Sequence, residues 1–464
     1  MHSDHVQGNR SLNQGSTAFV YFAALVAAAG GFLFGYDLAV VSGAIIFLKK
    51  QFALSPVEVG FAIGSAQIGC MLAPLLAGPM SDRWGRKKTL AVAGFLFGIS
   101  AVGTAFPQNM TQFNAFRIAA GVGIGMASVV SPMYIAEIAP ARNRGKLVSL
   151  NQFCIVIGAM SSYGVAYLFA GTGNWRLMFA SALIPSVAFL VGLIFVPESP
   201  RWLTQKNRVE EARGILAKID GAANADIEIT AITQTLSTES GGWRELFGPG
   251  VRIALLVGTS LCLLQGWTGG TAINFYAPMI FQQAGFSKPS DALLLTLLMN
   301  GTSFICTVFT LLAVDRLGRR PLLLVGTAGM AMGEALLGIS LHTGHTGMPT
   351  VAALFLSNIF YQISIAPLAW MILSEIFPTR ARANGQAVGT FAVWIGTYTS
   401  NQFLGPLMNY FERMFGSTAG AFWVFAAVSA ITCLFGQRMV PETKGRTLEE
   451  IAHFWAPKKE LQGE

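Results

Sequence analysis

The motif Asp-Arg-x-Gly-Arg-Arg/Lys occurs twice in this chain, each time directly after a long apolar run. The copies are Asp82-Arg83-Trp84-Gly85-Arg86-Lys87 and Asp315-Arg316-Leu317-Gly318-Arg319-Arg320, and they hold equivalent places in the two halves of the sequence. A chain patterned this way folds as two related units, each a set of apolar segments tied by short basic loops, which is the mark of a duplicated membrane protein.

Composition supports that reading. Hydrophobic residues make up 53% of the 464 and charged residues 12%, against about 25% charged in a soluble domain. The 51 glycines suit helices that approach closely in a bilayer. A net charge of +8 in a soluble protein would suggest nucleic acid. Here the positive residues sit in short loops between apolar runs, where they set orientation in the membrane, so no nucleic-acid partner is expected. Cys70, Cys154, Cys262, Cys306 and Cys433 all fall inside apolar runs without a CxxC spacing. They read as small buried hydrophobes, and neither a disulfide framework, a metal site nor a cofactor is expected.

A bilayer core needs about 20 apolar residues per helix, and on that measure about twelve segments span it. The first six run near 17–47, 57–78, 89–106, 112–138, 147–170 and 175–196; the second six run near 251–282, 291–314, 321–341, 349–373, 385–409 and 417–437. The expected organisation is a polar tail over 1–16, a first bundle over 17–196, a linker over 197–250, a second bundle over 251–440 and a tail over 441–464. The linker carries an amphipathic helical pattern from Arg208 to Lys218 and is too short for a further soluble domain. Basic residues cluster after spans 2, 4, 8 and 10, whereas the loops after spans 3 and 9 have no Lys or Arg. By the positive-inside rule the basic loops and both termini are cytoplasmic.

Several further motifs accompany the repeated loop: Tyr134-Ile-Ala-Glu137-Ile-Ala-Pro-Ala-Arg142-Asn-Arg144, Ser374-Glu375-Ile-Phe-Pro378-Thr-Arg380-Ala-Arg382, Pro197-Glu198-Ser-Pro-Arg201 and Pro441-Glu442-Thr-Lys444. With these, the chain resembles the sugar porter family of the major facilitator superfamily over nearly its whole length. The resemblance implies an all-α membrane fold of twelve transmembrane helices in two six-helix bundles. It also implies alternating-access import of a sugar or related polyol. The protein is expected to function as a monomer, and with no metal cluster, P-loop or nucleophile–base constellation in the sequence no enzymatic activity is expected. On the expected topology Asp82, Glu137 and Glu198 can face Arg83, Arg86, Arg142, Arg144 and Arg201, and Asp315, Glu375 and Glu442 can face Arg316, Arg319, Arg380 and Arg382. Such a network can hold while the cytoplasmic side is closed and break when it opens.

Two ionisable residues are picked out well inside apolar spans, Asp37 in span 1 and Arg117 in span 4. Each costs about 2.5–3.5 kcal/mol at a helix centre on insertion scales, so each wants a partner, and they are expected to pair. In the resembling family an Asp and an Arg at these positions go with proton-coupled members, while passive members have a neutral residue at the Asp site. The expected activity is therefore sugar/proton symport, with a uniporter as the alternative and a non-transporting nutrient sensor further off.

Sugars are held by amides and aromatic faces. Candidates by resemblance are Gln152, Gln265, Trp370 and Trp394. Other positions depart from the family pattern: span 7 has Gly266, Thr271 and Phe275, span 8 has Ser303, and span 11 has Val393 before its Trp. The missing amides are read as displaced, to Asn274 and Asn300, by about 4.5 Å along each helix. That predicts a rearranged polar lining and a substrate other than the common hexoses, with pentoses, polyols or a modified sugar open. Short tails and loops point to a bacterial inner membrane.

Overall fold

The computed structural model describes residues 16–238, 243–248, 251–378 and 381–444. Arg380, the first fifteen residues and the tail from 445 onward lie outside the described residues.

The first bundle comprises α1 (Thr17–Phe52), α2 (Pro56–Trp84), α3 (Arg86–Ala105), α4 (Met110–Ile138), α5 (Arg144–Ala170) and a sixth span broken into α6 (Trp175–Ala180) and α7 (Leu183–Phe195). Three linker helices follow, α8 (Pro200–Gln205), α9 (Val209–Asp220) and α10 (Ala222–Thr238). The second bundle opens with a broken span 7, α11 (Val251–Trp267) and α12 (Gly270–Gln283), then α13 (Pro289–Leu317) and α14 (Arg319–Thr343). Span 10 is broken into α15 (Met348–Ile363) and α16 (Ile365–Glu375), and α17 (Arg382–Phe415) and α18 (Ala419–Met439) complete the bundle. The expected all-α fold of two six-helix bundles is the one observed, and the amphipathic linker segment is α9.

Among the described residues, eleven spans are long and apolar enough to cross a bilayer. The twelfth, α17, is 34 residues long but less apolar, because Gln386, Thr390, Thr397, Thr399, Ser400, Asn401 and Gln402 lie along it. A helix that polar is stable at membrane depth only when its polar face meets protein or a water-filled cavity. Consistent with that, α17 packs along α2 of the other bundle as well as on α11.

Local chemistry accounts for the element ends. Ser55 and Glu58 form a reciprocal capping box at the start of α2, which satisfies two otherwise orphaned N–H groups. Asn109 caps α4 by accepting from Gln112 N at 2.8 Å. Within the bundles, glycine decides how closely helices cross. A Cβ on Gly121 would collide with the Ala66 carbonyl, and one on Gly69 with the Ile118 carbonyl. Gly121 and Gly125 thus form the seam where α4 lies closely on α2, while Gly123 between them faces Ala93 and Leu96 of α3.

The molecule has a loop end, carrying both Asp-Arg-x-Gly-Arg copies, and a far end. Toward the far end one apolar cluster takes residues from both bundles, among them Val41, Ile45, Val59, Phe275, Tyr276 and Leu404. Toward the loop end each bundle has its own cluster, and Trp394 of α17 is the one residue that enters the other bundle's. Hydrogen bonds across the seam also lie away from the loop end: Ser42 Oγ donates to Asn274 O at 3.3 Å and Gln402 Nε2 to Val57 O at 3.0 Å. The bundles are joined at the far end and part toward the loops.

Candidate functional site

Asp37 lies on α1 and Arg117 on α4, 5% and 0% exposed. Arg117 Nη1 is 3.2 Å from Asp37 Oδ1 and also donates to the Asp37 backbone carbonyl at 2.8 Å. The remaining polar atoms of the pair, Asp37 Oδ2 and Arg117 Nε and Nη2, are buried without hydrogen-bond partners. A permanent structural pair would normally have its remaining lone pairs and protons satisfied. This one is held together by a single side-chain contact.

The polar lining lies nearer the far end. Thr271 Oγ1 and Tyr361 OH are 2.7 Å apart. Asn274 Nδ2 donates to Asn358 Oδ1 at 3.0 Å, and Asn358 Nδ2 donates to Ser303 Oγ at 2.9 Å. Asn300, one turn from Ser303, faces the Tyr163 hydroxyl together with Ser42. Four of the sequence-derived positions, Thr271, Asn274, Asn300 and Ser303, thus converge on one seam between α12, α13, α15 and the first bundle. Asn274 Oδ1 is buried with no partner, which leaves an acceptor available to a hydroxyl ligand.

The other candidates scatter. Gln265 is buried, its Nε2 donating to Ala366 O at 3.2 Å and its Oε1 unpartnered. Gln152 and Trp370 are exposed, the latter 38%. Trp394 is buried, with its ring centroid 6.1 Å from that of Phe34 and its Nε1 unpartnered. In this arrangement the Trp394 ring bridges the bundles.

Sequence reasoning overlooked two residues of the lining, Asn358 and Tyr361. Both stand in the apolar run of span 10, where a lone amide or phenol hydroxyl needs a partner on another helix, and that need is the signal that could have found them. It also overlooked a third intramembrane charge-bearing residue: Glu334 on α14 is fully buried.

At the loop end the two halves repeat the same device. In the first, Arg86 Nε and Nη2 each donate to Glu137 at 2.9 Å, and Asp82 stands 3.5 Å from Arg86. In the second, Arg319 Nη2 donates to Glu375 at 3.0 Å, and Asp315 stands 3.0 Å from Arg319. Glu198 accepts from Arg86 N and Lys87 N at 2.9 and 3.1 Å, and Glu442 accepts from Arg319 N and Arg320 N at 3.0 Å each. The Pro-Glu-Ser/Thr carboxylates therefore cap the N-termini of α3 and α14, where the helix dipole and free N–H groups favour an anion. Gly85 and Gly318 sit at φ 95° and 91°, and a Cβ on either would meet the capping glutamate. That is the physical content of the glycine in each copy of the motif.

The expected network is narrower than its candidate set. The observed pairs stay within each bundle. Arg83, Arg142, Arg144 and Arg316 are exposed, and Arg382 has buried guanidinium nitrogens without a hydrogen-bond partner; none of the five pairs with an acid among the described residues. The reason is geometric: bundles that part at this end carry their outward-pointing arginines away from the opposing acids. Arg201 is engaged in an interaction of its own.

Burial by itself would raise the Glu442 carboxyl, but the backbone N–H groups of Lys444, Arg319, Arg320 and Thr443 outweigh it and hold the group below its ordinary value of 4.5. A lowered carboxyl stabilises the fold above its unfolded value and loses that contribution as pH falls through the folded one. Glu442→Gln is therefore expected to lower thermal stability at neutral pH, with the gap to wild type closing as the medium is acidified below 4.5. Melting curves in detergent across pH check this, and a gap that widens on acidification contradicts it.

Two bundles joined at one end, a buried acid–base pair and a polar seam between them define a multi-pass membrane carrier. A family model described as sugar (and other) transporter matches residues 23–455, and the chain belongs to that family. It is 36% identical to the D-xylose-proton symporter of Escherichia coli (strain K12), covering 96% of this chain and 97% of that one. It is likewise 36% identical to the arabinose-proton symporter of Bacillus subtilis (strain 168), covering 95% and 96%. Among solved structures, the inward open conformation of the xylose transporter XylE from E. coli superposes with a TM-score of 0.82 at 35% identity, covering 94% of this chain and 100% of that one. XylE bound to 6-bromo-6-deoxy-D-glucose gives 0.76 at 35% identity, covering 94% and 99%. The higher score falls on the conformation open to one side, in keeping with bundles that part at the loop end.

Proposed function

We propose that the protein imports a sugar together with protons by alternating access, with Asp37 as the proton carrier. The single observation behind the carrier role is the sparsely satisfied Asp37–Arg117 contact inside the bilayer. With Arg117 close, the carboxylate stays charged. When the guanidinium withdraws, a lone charge in a low-dielectric interior is costly and the neutral acid is favoured. Proton and sugar are then linked because each favours the same conformation. Trp394 against Phe34 supplies a contact by which movement of the second bundle reaches α1.

The sugar sits at the seam lined by Thr271, Asn274, Asn300, Ser303 and Asn358, with Gln152, Gln265 and Trp370 on the path from the loop end. Amide-rich lining suits a ligand whose hydroxyls both donate and accept. The similar symporters of xylose and arabinose favour a pentose. The loop end, with the exposed arginines, faces the cytoplasm of a bacterial inner membrane, and the intrabundle ion pairs hold each bundle rigid while it rocks.

Proteoliposome uptake of D-xylose, L-arabinose, D-galactose, D-glucose and a polyol, each with and without an imposed pH gradient, tests this reading. The expected result is gradient-dependent accumulation of at least one sugar. Equal uptake in both conditions would make the protein a uniporter. Asn358→Ala is expected to weaken apparent affinity for the carried sugar about tenfold, the weight of a hydrogen-bonded amide lost from the lining. Unchanged affinity would move the sugar away from this seam.

A further inference from the structure

Among the described residues Glu334 is the one buried carboxyl of the second bundle, and no ion pair accompanies it. It lies mid-helix in α14, fully buried, and its one side-chain partner among the described residues is Ser429 of α18, whose Oγ is 2.8 Å from Oε2. Oε1 has no partner. The helices packed on α14 bring no charge to it. Within them stand Cys306 on α13, Tyr361 on α15 and Cys433 on α18, and their remaining ionisable groups lie at helix ends. The hydrogen bond to Glu334 comes from Ser429. An isolated carboxylate so placed has no counter-charge to compensate its lost hydration.

Ser429 has a second neighbour. Its Oγ lies 3.5 Å from the carbonyl oxygen of Thr268. Thr268 is where span 7 breaks, just before Gly269 at φ 79°, ψ −12°. The break separates Gln265 from Thr271 and Asn274, so its geometry sets how the polar seam faces the loop end.

A serine hydroxyl has one proton to give. We propose that Glu334 is a second proton-binding site whose occupancy decides, through Ser429, whether the end of α11 is tied to α18. With the proton on Glu334, the acid donates to Ser429 Oγ and the hydroxyl donates to the Thr268 carbonyl. With the proton gone, the hydroxyl turns to the carboxylate and the carbonyl is released. One proton enters or leaves, and one hydrogen bond is exchanged for another. The proton exchanges when α12 moves at the break, the movement alternating access requires, so the site acts within the carrier cycle proposed above.

Two measurements on the full chain test it. The first needs no sugar: infrared titration of the purified protein in detergent follows the protonated-carboxyl stretch. The expected result, in the Asp37→Asn background that removes the other buried carboxyl, is a band that titrates, is missing when Glu334→Gln is added, and shifts with Ser429→Ala, which removes its hydrogen-bond partner, but not with Ser429→Thr. A band that persists in Glu334→Gln, or that is blind to Ser429→Ala, overturns the proposal. The second is D-xylose counterflow in proteoliposomes of the Asp37→Asn protein, where the first proton site is silenced. A residual pH step of about fivefold, the weight of one ordinary hydrogen bond, is expected. It should vanish with Glu334→Gln or Ser429→Ala and survive Ser429→Thr; a step that survives Glu334→Gln overturns the link to transport. Because the infrared result stands without any sugar being carried, failure of the carrier reading and failure of this site are told apart.

Discussion

Asp37→Asn protein in proteoliposomes is expected to exchange sugar in counterflow and to fail to accumulate it against a pH gradient. Asparagine keeps the shape of the aspartic acid and an oxygen for Arg117 Nη1, which stands 3.2 Å from Oδ1, but it cannot change charge. The substitution fixes the site in a state resembling the protonated one. The bundles can then still rock with sugar bound, since exchange demands no net proton movement. Uphill transport has lost its coupling site, since Glu334 governs only the tie between α11 and α18. For one proton per sugar, each pH unit supports about tenfold accumulation, equivalent to ~1.4 kcal/mol. The expected ratio in the variant is unity at every imposed gradient. Accumulation that persists in Asp37→Asn protein would remove Asp37 from the coupling step.

The second large effect is expected at Arg117. It is fully buried, as is its partner to within 5%. Arg117→Met leaves a carboxylate without its counter-charge, and breaking a buried pair from one side costs about 3–5 kcal/mol unless the acid takes up a proton. The variant should melt well below wild type at neutral pH and recover part of that loss on acidification, when Asp37 is neutralised. The double variant Asp37→Asn/Arg117→Met, with no lone charge to bury, should melt above the single Arg117→Met variant. If the two substitutions instead lower stability additively, the pair is not energetically coupled.

Much of the architecture was legible in the chain because it is periodic or repeated. Helix number and approximate bounds follow from the length of apolar runs, since lipid cannot solvate an unpaired backbone. The Asp37–Arg117 contact was legible for a related reason: two costly charges in one bundle find each other. The two Pro-Glu signatures and the two Asp-Arg-x-Gly-Arg loops were visible as repeats. That each glutamate caps the helix opened by the other motif, as Glu198 does for Arg86 and Lys87, was not visible, because the two stretches are far apart in sequence. Glu334 and Asn358 were missed for the opposite reason. A single polar residue in an apolar run shows no period and no neighbour, and its meaning depends on Ser429 and Ser303 on other helices. The helix breaks at Thr268 and Ser364 were likewise hidden, since a glycine or serine in a membrane span is common whether the helix bends or not.

By itself, the sequence determined the membrane-spanning class, the two-bundle plan, the basic loops and the buried acid–base pair, all of which follow from local hydrophobicity and the cost of charge in lipid. Tertiary structure alone decided which arginines pair and which stand apart, that the bundles meet at the far end and open at the loops, and that the second bundle hides a carboxyl behind the break in span 7. Those features depend on how separate helices face one another, and facing is set by side-chain packing across the bundles rather than by any pattern along the chain.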